Sequence, residues 1–156
     1  MTPDLEAMAE TLATDLTTLH RAGRISSPWL AGMLAWKRGH VRERVLGTTT
    51  LDRYVTGAAL RGPRAGTWHV TSLSIAVPDL SDPVTCAALL LLAREAWGDP
   101  TASTAATRES DGSRGWVMDC WEPRSPLHGL GPFGTEVAAL FAAIHVAATA
   151  THGETP

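Results

Sequence analysis

The sequence predicts an α+β fold: an N-terminal helical hairpin, then a small antiparallel sheet packed between or against two apolar helices. Three observations carry this. A helix has both its start and its stop written between Asp82 and Pro100. Residues 40–46 and 115–121 alternate in the two-residue period of half-buried strands. An alanine-rich apolar stretch at about 135–150 has helical composition.

In chain order, Leu5, Met8, Leu12, Leu16 and Leu19 recur at three- and four-residue steps and predict a helix over 3–22. Thr2 and Pro3 start it and Gly23 ends it. A second, shorter helix is predicted from Pro28 to about Arg38, capped by Ser27, ended by Gly39, and burying Trp29, Met33 and Trp36. In the strand at 40–46, His40, Arg42 and Arg44 point one way and Val41 and Val45 the other. The β-branched run 49–56 is its expected partner. Residues 57–66 are loop-like, and 67–77 predict one further strand, with Trp68 and Val70 on one face.

The helix at 83–97 is the clearest element. Asp82 caps the first amides, Pro83 occupies the first helical position, and Gly98 and Pro100 close it. Cys86 to Ala93 is unbroken apolar sequence apart from the cysteine, so neither side is expected to face water. Strands follow at 102–108 and 115–121, with 110–113 as the hairpin turn. Residues 122–134, rich in proline and glycine, are expected to be loop. Domain organisation then follows as a helical hairpin at 1–39, a basic β-rich segment at 40–77, an α-β-β-α unit at 78–150 and a frayed tail at 151–156.

The segment Asp79-Leu80-Ser81-Asp82-Pro83, with the run from Leu89 to Pro100, resembles a recurrent segment of small uncharacterised proteins of actinobacteria and their phages. The wider pattern over about 78–150 is similar to the phage α-β-α sandwich domain. That resemblance implies a fold and brings no activity, cofactor or catalytic residue. Arginine outnumbers lysine twelve to one, a coding bias of GC-rich genomes.

Charge is uneven. Residues 1–20 are net −4; residues 21–64 carry nine basic residues against Glu43 and Asp52, net +7; residues 65–156 are net −6. The basic middle nominates Arg38, His40, Arg42, Arg44 and Arg53 for anion or nucleic-acid contact, within a segment 37–64. The alternative is neutralisation by the acidic first helix or the acidic 65–156 part. Leu89, Leu92, Trp97, Phe141 and Ile144 are the expected interface residues, because the two apolar helices need a covering layer from residues 1–77 or from another molecule.

Other chemistry is poorly represented. Gly129, Gly131 and Gly134 match G-x-G-x-x-G, but the strand context of a dinucleotide site is missing. The six histidines and two cysteines have no metal-ligand spacing, so neither metal nor cofactor is expected. Cys86 and Cys120 suit a reducing compartment. No apolar run approaches the roughly 20 residues of a membrane span, and the acidic start is unlike a signal peptide, which predicts a cytoplasmic protein. The functional expectation is a protein-binding or self-associating accessory protein of phage type. A nucleic-acid-binding module is the competing expectation, and a small enzyme with an unrecognised site the third.

Overall fold

The computed structural model describes residues 1–37, 42–49, 53–57 and 67–153, without the side chains of 151–153. Its class is α+β, with three helices and two antiparallel sheets among the described residues. The elements are α1 (Pro3–Arg21), β1 (Leu34–Trp36), β2 (Glu43–Thr48), β3 (Tyr54–Gly57), β4 (Trp68–Thr71), β5 (Val77–Pro78), α2 (Pro83–Trp97), β6 (Ser103–Arg108), β7 (Arg114–Asp119), β8 (Leu130–Phe133) and α3 (Glu136–Gly153). The chain divides into two compact units, one of Met1–Ala13 with Ser27–Ala88, the other of Thr14–Ser26 with Leu89–Pro156.

The first unit holds a five-stranded sheet in the order β4-β3-β2-β1-β5. Its register separates two faces. Ala35 pairs with Glu43 and Pro78, and Val45 pairs with Thr56, which pairs with His69. Ala35, Val45, Tyr54, Thr56 and Pro78 of this face are buried. Leu12, Met33, Leu73 and Leu80 are also buried in this unit. The opposite face carries Arg44, Gly57 and Trp68 in one cross-strand row and Val55 opposite Val70 in the next.

The helix expected at 28–38 does not form, so residues 1–39 are not a helical hairpin. Gly32 has φ 96°, outside the helical region. Its amide donates to Val45 O at 2.7 Å, and Val45 N donates to Met33 O at 2.8 Å. The backbone is thereby committed to β1, while Trp29 and Met33 are buried as the apolar pattern anticipated. The strand expected over 67–77 is two strands, β4 and β5, separated by a turn in which Ala76 N donates to Leu73 O at 3.0 Å.

α2 begins and ends as its sequence dictates. Asp82 Oδ2 accepts from Thr85 N at 2.9 Å and from the Thr85 hydroxyl at 2.8 Å. At the other end Gly98 N donates to Glu95 O at 3.1 Å and Asp99 N to Arg94 O at 3.0 Å, satisfying carbonyls of the last turn.

The second unit holds the sheet β6-β7-β8, on which α3 packs. The β6–β7 hairpin turns at Asp111, whose Oδ1 accepts Ser113 N at 2.8 Å. The stretch expected to be loop at 122–134 contains β8. Gly131 explains why the chain can return to the sheet there. Its φ is 132°, and a Cβ at this position would lie 2.7 Å from Trp116 O, so no larger residue fits. The glycine-rich motif thus has a backbone role in the sheet. Cys120 is buried and Cys86 half-buried, and neither is in a disulfide.

Candidate interaction surface

The basic strand is tied down by its own chain. Arg42 Nε lies 2.6 Å from Asp79 Oδ2, whose side chain is almost wholly buried. Arg44 forks onto Asp82, with Nη1 donating to Oδ2 at 2.7 Å and Nη2 to Oδ1 at 3.2 Å, and Nη1 also reaches Gly32 O at 2.7 Å. Asp82 therefore caps α2 and anchors β2 with one carboxylate. Partial burial works to raise its pKa, but the Arg44 guanidinium and the Thr85 hydroxyl and amide outweigh burial and hold it below the usual carboxylate value. The acidic 65–156 part neutralises both arginines, as the charge pattern allowed. Arg53 is exposed, and its carbonyl accepts from Thr49 N at 2.7 Å. Arg38 and His40 lie outside the described residues.

The residues expected to form an interface are placed differently. Leu89, Leu92 and Ile144 have no exposure at all, so none of them can touch a partner. Trp97 is half-buried and its indole donates to Ala143 O at 2.8 Å, with the Arg24 guanidinium 6.0 Å from its ring centroid. Phe141 is half-buried and stacks on His145 at 5.3 Å. The helices do have outward faces: Val84, Leu91 and Glu95 are exposed on α2, and His145, Val146 and Thr149 on α3. Sequence periodicity could not separate these apolar side chains from those that are buried, because the runs are apolar all round.

The exposed apolar cluster is on the five-stranded sheet. Trp68 is 69% exposed, Leu46 52% and Val70 48%. Trp68 stands directly opposite Gly57. On the side toward β2, the register shifts between Val45 and Gly47, and this irregularity brings Leu46 over Gly57, its Cδ1 3.7 Å from where a Cβ would be. Val70 follows Trp68 on the same face, opposite Val55. An antiparallel sheet with one buried face ordinarily turns polar residues outward. Here the outward face of β2, β3 and β4 presents Leu46, Val55, Trp68 and Val70. The alternation of Trp68 and Val70 was visible in sequence; their exposure was not, because the same alternation describes an inward face.

Polar clusters offer less. On the inward face, Glu43 Oε1 lies 3.0 Å from His69 Nε2, and the buried Thr56 hydroxyl donates to Glu43 Oε2 at 3.0 Å while lying 3.4 Å from the same His69 nitrogen. A nucleophilic relay needs acid and hydroxyl on opposite ring nitrogens. Both groups approach Nε2, so this cluster does not have that arrangement. His145 Nδ1 meets the largely buried Asp15 at 2.9 Å. Among the described residues, no three His, Cys, Asp or Glu side chains converge to hold a metal ion. No helix among them is long and apolar enough to cross a membrane.

Comparison with known proteins identifies no matching family model, no similar curated protein and no similar solved structure.

Proposed function

We propose that the protein is a protein-binding module whose contact surface is the outward face of the five-stranded sheet, and that a second copy of the chain is its occupant. The observation that carries this is the exposure of Trp68 beside Leu46 and Val70 on one sheet face. Single exposed apolar residues need no explanation, but neighbouring ones on an outward sheet face do. β4 is also the outer strand of the sheet among the described residues. Its sequence Trp68-His69-Val70-Thr71 contains no proline, lysine or carboxylate, the devices that ordinarily discourage edge pairing. Antiparallel pairing of an edge strand with its own copy is two-fold, so a second copy of the chain can pair here through one self-matching surface.

Magnitude sets the kind of complex. Fully burying one large apolar side chain stabilises by roughly 1.5–3 kcal/mol. Leu46, Trp68 and Val70 from both copies, each about half exposed, contribute roughly 4–9 kcal/mol, which exceeds only the low end of the 4–15 kcal/mol that association costs, so backbone pairing along β4 has to add to it. The result is a weak, reversible dimer. Nucleic-acid contact is the weaker reading, because Arg42 and Arg44 are held in ion pairs. The setting we favour is that of the resemblance over 78–150: a cytoplasmic accessory protein of phage or prophage type, serving virion assembly or modulation of a host.

A photo-crosslinking amino acid placed at Trp68 tests the surface. Irradiation should give a covalent dimer, and the same probe at the exposed Leu91 of α2 should not. Equal yields from both positions, or none from Trp68, would overturn the assignment.

A further inference from the structure

The second unit has a shallow open pocket of about 290 Å³ lined by Thr101, Ser103, Asp119, Cys120 and Trp121. We propose that it binds a guanidinium group. The pocket forms where β7 leaves its sheet. Ser103 and Asp119 are direct cross-strand partners, so their side chains share one face. Trp121, two residues on, is 86% exposed, the largest value among the exposed apolar side chains. So large an aromatic surface left in water beside a concave polar site is what a stacking platform requires.

The polar groups select the ligand. Asp119 Oδ1 accepts from Cys120 N at 2.9 Å and lies 3.8 Å from His128 Nδ1. Oδ2 takes part in neither interaction. The Thr101 hydroxyl donates its proton to Asp99 Oδ1 at 2.6 Å, so it offers only lone pairs outward. Thr101 N donates to that same oxygen at 2.9 Å. Its hydroxyl and amide are the main reason the Asp99 carboxyl is held below its usual range and stays anionic. No lysine or arginine lines the pocket. Beside the Ser103 hydroxyl, which can donate or accept, the lining therefore presents acceptors, a carboxylate and an indole face, and neither lysine nor arginine to hold an anion. A planar guanidinium meets all three demands: it stacks on an aromatic ring while its in-plane N–H groups fork onto a carboxylate.

The test uses the intact chain, with the Trp121 indole and Cys120 amide signals followed by ¹H–¹⁵N NMR. The Trp121 indole is assigned by its loss in Trp121→Phe. Ethylguanidinium should shift both signals saturably, and neutral ethylurea should not. Asp119→Asn, an exposed change that leaves the fold intact, should weaken binding by roughly tenfold. N-acetyl-arginine amide separates the sources. Tighter binding than ethylguanidinium points to an arginine side chain of a polypeptide, and equal binding to a free small guanidinium; both uphold the site. Absence of saturable shifts, equal binding of ethylurea, or indifference to Asp119→Asn would overturn it.

Discussion

Asp82 is the residue on which most of the local structure turns. It closes the first turn of α2 through Thr85 and clamps Arg44 of β2. Losing it removes a cap, worth about 1 kcal/mol, and leaves a half-buried guanidinium without its anion. Asp82→Ala should therefore destabilise by about 2–3 kcal/mol, read as a lowered urea midpoint. Its depressed pKa fixes the sign of the pH response. The stabilisation is complete above the ordinary value of 3.8 and is lost as pH falls through the lower folded value. Acid titration of wild type should show this loss below about pH 4, and Asp82→Asn should not show that component. Gly131 is the second decisive residue. A methyl group there would meet Trp116 O at 2.7 Å in a backbone conformation L-residues avoid. Gly131→Ala should cost about 1–3 kcal/mol, measured by thermal unfolding. The cap role of Asp82 was legible in sequence, since proline and aspartate at a helix start have few other uses. Its partner Arg44 was not, because the contact spans 38 positions and no local pattern encodes it.

At the scale of elements, the three long helices were legible and the short strands less so. α1, α2 and α3 carry caps, terminators or continuous apolar runs, and each was placed within a few residues of its observed bounds. The three-to-four-residue spacing of Trp29, Met33 and Trp36 is that of a helix, yet the segment ends in β1. Hydrogen bonds from β2 to Gly32 and Met33 override that spacing. β8 has no strand signal in sequence, because half of it is proline and glycine, and it pairs through Trp116↔Phe133 and Met118↔Leu130. The outward face of β2–β4 makes a prediction at this scale. Trp68→Lys should change stability by no more than about 0.5 kcal/mol, as expected of a solvent-facing site. Met33→Ala, at a position with no exposure, should cost about 2–5 kcal/mol. Chemical denaturation of the two variants checks the contrast. An equally large loss from Trp68→Lys would mean that this side chain serves the fold.

For the whole molecule, the expected α+β class holds, and the apolar helices that demanded cover find it within the chain at Leu89, Leu92 and Ile144. That shifts the question of partners from the helices to the sheet. Sequence alone pointed to the helices because they hold the longest apolar runs, and run length measures hydrophobicity without measuring exposure. Part of the charge asymmetry is met in the same way, since Asp79 and Asp82 of the 65–156 part pair with Arg42 and Arg44. Among the exposed apolar side chains, Leu46, Trp68 and Val70 are the ones gathered on one sheet face. Sedimentation equilibrium over a wide concentration range, on wild type and on a Trp68→Lys, Val70→Lys double variant, tests this directly. The account predicts a reversible monomer–dimer equilibrium for wild type and a folded monomer for the variant. A wild-type chain that stays monomeric at the highest concentration, or a dimer that the double variant leaves unchanged, would contradict it.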